Sequence, residues 1–374
     1  MSKFSVLSVI FLSTFSYVSA EASGFDFKVS NPAGADRCRM VEVGKFPKGD
    51  FILYDGNGKE VAYQITHDGK LIFISEVPAG SSIKYKFKPG TPAQVDTVCY
   101  GRVFPERKDD LAWENDRAAY RAYGPALQAS GERAYGYDIW TKSVDYPILE
   151  KRFHDDIVNK ISFHVDHGNG MDVYAVGPTL GGGTSAIIAG NDSIVYPWCW
   201  KSAEVLDNGP LRFSARLVYP PCVIDSDTII EKRLITLDAG SWLNKTTVSY
   251  EGLDGDLRPA AGIVVHDSNP EGFRIDGNIV SYCDLTQNPD GDNGEIYVGL
   301  ISTEMPGSGY LPLRQNAGDA IGHVMLIGKP GQQSFTYYWG SGWSKGGVKD
   351  FNAWNKNLSD FKKDIEKPLV ITTK

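Results

Sequence analysis

The chain is built from short runs of alternating apolar and polar residues, each stopped within a few positions by glycine, asparagine, aspartate or proline. Phe51-Ile52-Leu53-Tyr54 stops at Asp55-Gly56-Asn57-Gly58, and Ala62-Tyr63-Gln64-Ile65 stops at Asp68-Gly69 before Leu71-Ile72-Phe73-Ile74. Ile83-Lys84-Tyr85-Lys86-Phe87 alternates strictly. Strand side chains point to opposite faces in turn, so such runs make half-buried strands, and Asp-Gly or Asn-Gly makes tight hairpins. Punctuation this dense leaves little room for long helices. The 40 glycines and 20 prolines among 374 residues supply the turns. The expected fold class is all-β: a large antiparallel β-sandwich preceded by a small N-terminal β unit.

The boundaries follow from the same punctuation. Residues 1–20 read as a secretory signal: Lys3, then a mostly apolar Phe4 to Phe15, then Val18-Ser19-Ala20. The apolar run is too short to span a bilayer, and no cysteine follows the cleavage site, so no lipid anchor is expected. This implies a periplasmic or secreted protein with no membrane association after cleavage. Residues 21–92 form the small β unit, ending at the linker Pro89-Gly90-Thr91-Pro92. Residues 93–374 form the main domain. Strands are expected at 161–166, 212–219, 228–237, 246–250, 262–266 and 295–302, and a helix near Trp354 to Ile365. Cys38, Cys99, Cys199, Cys222 and Cys283 are odd in number and widely spaced. That is neither a disulfide framework nor a zinc knuckle, though one or two bridges stay open to an exported chain.

The formal net charge of −8 excludes the basic field that general nucleic-acid binding needs. It does not exclude an anionic small substrate, because a few placed arginines override the global sign. Two clusters carry most of the chemistry. In the first, Trp113 to Tyr123, an extended backbone puts Arg117, Ala119, Arg121 and Tyr123 on one face, with Asp116 beside them. Two guanidiniums flanking an alanine can grip a carboxylate; the alternative is a solvated strand face. In the second, Ile161 to Tyr174, Gly168-Asn169-Gly170 reads as a hairpin turn. Its polar face gathers His164, Asp166, Asp172 and Tyr174, with His167 at the tip. A histidine beside a carboxylate is a tuned base and a tyrosine is a usable acid. The alternative is a polar sheet face. Spacing closes no metal-ligand set, and no cofactor motif occurs in its proper setting, so neither a metal nor a cofactor is expected. His154, His266 and His323 stand alone and read as structural.

Tyr196-Pro197-Trp198-Cys199-Trp200 and Tyr337 to Ser344 are aromatic and glycine-spaced. Rings among turns can form platforms for sugar faces or simply fill a core.

Several stretches together resemble a bacterial family known as domain of unknown function 4861. They are Phe104-Pro105-Glu106-Arg107 through Asp116-Arg117, His164-Val165-Asp166-His167-Gly168 through Gly181, Leu206 to Phe213, and Trp339-Gly340-Ser341-Gly342-Trp343-Ser344. The resemblance runs from about Val29 to Val370. It implies an exported protein of polysaccharide-utilisation clusters, often those handling uronic-acid glycans. It also implies a galactose-mutarotase-like supersandwich, a fold shared by epimerases, lyases and accessory domains of hydrolases. It transfers no catalytic residues.

The leading expectation is a lyase that cleaves uronic-acid-containing oligosaccharide or polysaccharide fragments by β-elimination. Arg117 and Arg121 would clamp the carboxylate, His167 or His164 would act as base and Tyr174 as acid. Asp172 or Asp166 would orient a histidine, and Trp113 and Trp343 would stack on sugar rings. The first alternative is a mutarotase-type epimerase using Asp172, Glu304 and His167. A hydrolase with paired carboxylates is a variant. The second alternative is a non-catalytic glycan binder.

Overall fold

The protein's structure, a computed structural model, describes residues 26–224, 226–286 and 292–373. The expected signal segment lies outside these residues. Every pairing between the described strands is antiparallel.

The small unit is a two-layer sandwich. Asp26–Ser30, Phe51–Asp55 and Ser82–Pro89 lie in one sheet, and Arg37–Val43, Gln64–Ile65 and Leu71–Val77 in the other. Alternation works here as the sequence implies: Tyr85 and Phe87 are buried while Lys84 and Lys86 point out. The Phe27 and Tyr85 rings stack at 5.2 Å. The last strand, Val370–Thr373, pairs along Asp26–Ser30 and completes this sheet. The sequence reading had assigned it to the main domain. Leu369 and Ile371 pack on the small core, so the chain's end covers an otherwise open sheet edge. Charged contacts tie the unit to the rest of the chain. Arg37 Nε sits 2.7 Å from Asp364, His67 Nδ1 sits 2.7 Å from Asp207, and Arg212 pairs with Glu42 at 2.7 Å.

The main domain is one large sandwich. A nine-stranded sheet faces a five-stranded sheet and a four-stranded sheet, with a shared core between them. Strands expected near 212, 228, 246, 262 and 295 are present as Arg212–Val218, Asp227–Asp238, Leu243–Glu251, Arg258–His266 and Ile296–Ile301. The core is rich in rings: Tyr137 stacks on Trp339 at 4.3 Å, and Trp113 meets Trp339 edge-on at 6.2 Å. The helix Phe351–Glu366, capped by Asp350 accepting from the Ala353 N–H, buries Trp354 and Leu358 on the outer face of the large sheet. It is amphipathic, as a surface helix must be. Among the described residues no helix is long and apolar enough to cross a membrane. All five cysteines are free thiols.

The four-stranded sheet, Tyr100–Phe104, Asp110–Glu114, Ala118–Ala122 and Tyr137–Thr141, positions the site. In its third strand Ala118, Tyr120 and Ala122 face the shared core, while Ala119 joins a second cluster with Trp140, Phe153 and Phe163 on the other side. By alternation Arg121 takes that second side. Register sets Asp138 directly opposite it.

Candidate active site

Arg121 is the centre of a buried charge cluster. It is only 4% exposed, yet its Nη2 pairs with Asp138 Oδ2 at 2.5 Å and donates to Asp172 Oδ2 at 3.1 Å. Asp110 Oδ2 lies 3.7 Å from Nη1. Its guanidinium carbon is 4.8 Å from the centre of the Tyr123 ring and 5.2 Å from that of Trp140. One cation thus answers three carboxylates away from water. Burial is the largest cause pushing the Asp172 carboxyl well above the ordinary range; the Asp138 charge adds to it and Arg121 opposes it. Burial likewise raises Asp110 to about 6, against the pull of Arg121. Carboxyls pushed up in this way by burial are candidates for acid–base roles, and such clusters recur in active sites.

The cluster forms one wall of a cleft of about 370 Å³, whose lining includes Arg121, Tyr123, His164, Asp172, Tyr174 and Asp319. His164 Nδ1 lies 2.7 Å from the Asp172 carbonyl oxygen. A carbonyl only accepts, so Nδ1 carries the hydrogen, and Nε2 is the ring nitrogen left to act as a base. The imidazole is 61% exposed. Tyr123 is half-buried, with its hydroxyl 3.5 Å from Arg121 Nη2. Burial, reinforced by Asp138, pushes its pKa far up. Tyr174 is shifted the same way by burial and Asp284, and its buried hydroxyl has no hydrogen-bond partner. Both phenols therefore hold their protons.

Behind the cleft floor His266 Nδ1 meets Asp284 Oδ2 at 2.7 Å, both buried. Burial opposes the charged imidazolium, but the carboxylate prevails and raises its pKa. The Tyr174 ring stands edge-on to this histidine at 6.3 Å. Beside the cleft, Arg107 lies 6.0 Å from the Phe163 ring centre and its charge lowers both Asp110 and Asp172. Among the described residues it makes no ion pair. The next two residues, Lys108 and Asp109, both adopt left-handed backbone (φ 55° and 63°), a costly conformation outside glycine. Backbones pack tightly here: a Cβ on Gly124 would fall 2.2 Å from the Asp109 carbonyl. Among the described residues no set of three His, Cys, Asp or Glu side chains is placed to hold a metal ion, and the three aspartates turn to Arg121.

A family model described as "Domain of unknown function (DUF4861)" matches residues 37–371. The chain belongs to this family. "Uncharacterized protein P7" of Formosa agariphila is 25% identical to this DUF4861 chain over 314 residues, covering 81% of this chain and 77% of that protein. Two solved structures from Enterococcus faecalis are similar in fold at 11% identity. One is a protein in glycosyl hydrolase family 38, with a TM-score of 0.50, and the other an alpha-mannosidase, with a TM-score of 0.47. The DUF4861 chain is covered to 94% in each case but spans only 47% and 46% of those chains.

The structure brings together Arg121, His164, Asp172 and Tyr174 and separates the other expected residues from them. Arg117 lies outside the strand, which begins at Ala118, so the shared-face argument fails for it. Its guanidinium sits 5.2 Å over Trp242 and pairs with Asp116 at 3.2 Å. Asp116 accepts the Gly240 N–H. Trp113 is fully buried with Nε1 on Asn244, and Trp343 is 3% exposed with Nε1 on the Asn293 carbonyl; neither offers a face to a sugar. No strand forms over 161–166. Asp166 accepts the N–H groups of Gly168 and Gly170, closing a compact loop instead. Of the apolar residues before the turn only Phe163 is buried, and Ile161 and Val165 are exposed; Met171 and Val173 after it are buried. His167, on that loop, faces the Ser162 carbonyl at 3.0 Å and does not line the cleft. Glu304 accepts the Thr336 N–H and is likewise absent from the lining.

Asp110, Asp138, Tyr123, Arg107 and the His266–Asp284 pair escaped the sequence reading as site residues. Asp110 was visible only as one acid among several before Trp113. Asp138 and Asp284 become partners through strand register, which spacing does not encode.

Proposed function

We propose that this chain is a carbohydrate-active enzyme that cleaves uronic-acid-containing oligosaccharides by β-elimination in the cleft around Asp172, outside the cytoplasm as its first twenty residues imply. One observation carries the reading. A carboxyl whose pKa burial pushes up (Asp172), a phenol that keeps its proton (Tyr123) and an imidazole turned by its Nδ1 to a backbone carbonyl (His164) line one cleft.

His164 Nε2 removes the proton α to the substrate carboxylate. The electron pair moves onto that carboxylate as an enolate, which the neutral Asp172 acid stabilises by hydrogen bonding. Arg107, which makes no ion pair among the described residues, meets the substrate's negative charge. The enolate then collapses, the bond to the leaving oxygen breaks, and Tyr123 protonates that oxygen. Arg121 differs from the clamp that the sequence implied: its Nη2 is engaged by Asp138 and Asp172, so it tunes the carboxyls from behind. The fold likeness to a family 38 glycosyl hydrolase protein is consistent with sugar chemistry and adds no mechanism.

The test is incubation with uronic-acid oligosaccharides while following the ultraviolet absorbance of an unsaturated product. His164→Ala and Tyr123→Phe should each abolish it. Full activity in both variants would sink the assignment. The same engagement of Arg121 favours a second reading, a mutarotase, which needs an acid and a base across a free sugar and no clamp. Polarimetry on free aldoses separates the two.

A further inference from the structure

The aromatic run Tyr196 to Trp200 takes no part in the cleft chemistry, yet it builds a second pocket. We infer that this pocket, walled by Tyr196, Pro197, Trp198, Tyr219 and Pro220 with Glu231 at its base, binds one neutral sugar ring.

The pocket holds about 250 Å³, just below the range for drug-sized ligands and therefore suited to one ring. Trp198 is 51% exposed, and Tyr135 packs against both Tyr196 and Trp198 with centroids at 5.7 and 5.9 Å. Rings held by each other in this way present a fixed apolar face to solvent at little entropic cost. Glu231 is 8% exposed. Its Oε1 accepts from Ser185 Oγ at 2.6 Å and Arg233 Nε at 2.7 Å, and its Oε2 accepts no hydrogen bond from the described residues. A carboxylate oxygen at the bottom of an apolar pocket needs a donor. A ligand that satisfies both features brings hydroxyl groups on one edge and C–H groups on one face, which is the chemistry of a pyranose.

The charge balance narrows the ligand further. No Lys, Arg or His lines the pocket, so a uronate carboxylate would meet only Glu231 and be repelled. A cation gains little, because buried Arg233, stacked 4.2 Å from the Tyr219 ring centre, already neutralises Glu231. A neutral sugar remains. Cys199, next to Trp198, contacts the Tyr123 carbonyl at 3.3 Å, so the segment that walls this pocket touches a residue that lines the cleft. The inference is independent of the reaction in that cleft.

The test titrates the full chain, by calorimetry and by saturation-transfer NMR, with the methyl glycosides of glucose, galactose, mannose and xylose. Methyl glucuronide and choline serve as charged controls. At least one neutral glycoside should bind with a Kd of roughly a millimolar, and neither control should match it. Trp198→Ala, at an exposed position, should keep the fold and weaken binding about tenfold, with Trp198→Phe recovering part of it. Asp172→Asn should leave binding unchanged. The inference fails if no neutral glycoside binds, if glucuronide or choline binds as well, if Trp198→Ala binds like the parent, or if Asp172→Asn abolishes binding and so places the sugar in the cleft.

Discussion

Asp110→Asn isolates one element of the buried charge cluster. Asp110 is fully buried; its Oδ1 accepts the Gly124 N–H at 2.9 Å, and its Oδ2 has no hydrogen bond. Asparagine keeps the acceptor and removes the charge. Burial raises the carboxyl from 3.8 to about 6 in the folded protein, roughly two pH units, and each pH unit is worth about 1.4 kcal/mol. The folded state binds this proton more tightly than the unfolded chain. Stability is therefore greatest below about pH 4 and declines as pH rises towards the folded value, by about 3 kcal/mol in total. The variant lacks this loss. The difference in unfolding free energy, variant minus parent, should climb by about 3 kcal/mol between pH 4 and 8, several degrees in thermal midpoint for a chain of this size. Denaturant unfolding across that pH range measures it. Asp172, raised in the same direction, leaves a residual slope in both proteins. Parallel stability curves for the two would refute the argument that burial raises the Asp110 carboxyl in the fold.

Three further outcomes follow from the placement of other residues. Trp113→Ala empties a core site against Trp339 and Phe213 and should cost about 3–5 kcal/mol of stability; a normally stable variant would show that the ring is not core. His167→Ala, on an exposed loop, should change stability by less than about 0.5 kcal/mol and leave turnover intact, and its inactivity would restore His167 as the base. Truncation after Leu369 removes the strand paired to Asp26–Ser30. Amide exchange at 27–30 should then accelerate, and unchanged protection would contradict the pairing.

The fold was legible where it depends on local alternation and turn chemistry. Ser82–Pro89 and Asp227–Asp238 alternate in burial as strands should, and Asp350 and the Trp354/Leu358 spacing mark the helix. The site was legible only in part. Asp172, His164 and Tyr174 could be found because a short loop holds them close in sequence. Arg121 could be found as a residue, but its role could not: period-two reasoning ran one strand through Trp113 to Tyr123, where the chain forms a hairpin of Asp110–Glu114 and Ala118–Ala122 with Arg117 in its turn. The partners that define Arg121 come from Asp138 and Asp110 on the two strands that flank its own, and only register brings them together. Trp113 and Trp343 show the same limit in reverse. A tryptophan in a glycine-rich run looks the same in sequence whether it ends in the core or, like Trp198, at the surface.

The most direct measurement follows the ultraviolet absorbance of unsaturated product from uronic-acid oligosaccharides with the parent chain and with Asp172→Ala. The parent should generate the absorbance, and the variant, without the carboxyl that hydrogen-bonds the enolate, should lose it by about a hundredfold or more. Equal product formation by both proteins would contradict the claim that the Asp172 cleft is the catalytic site.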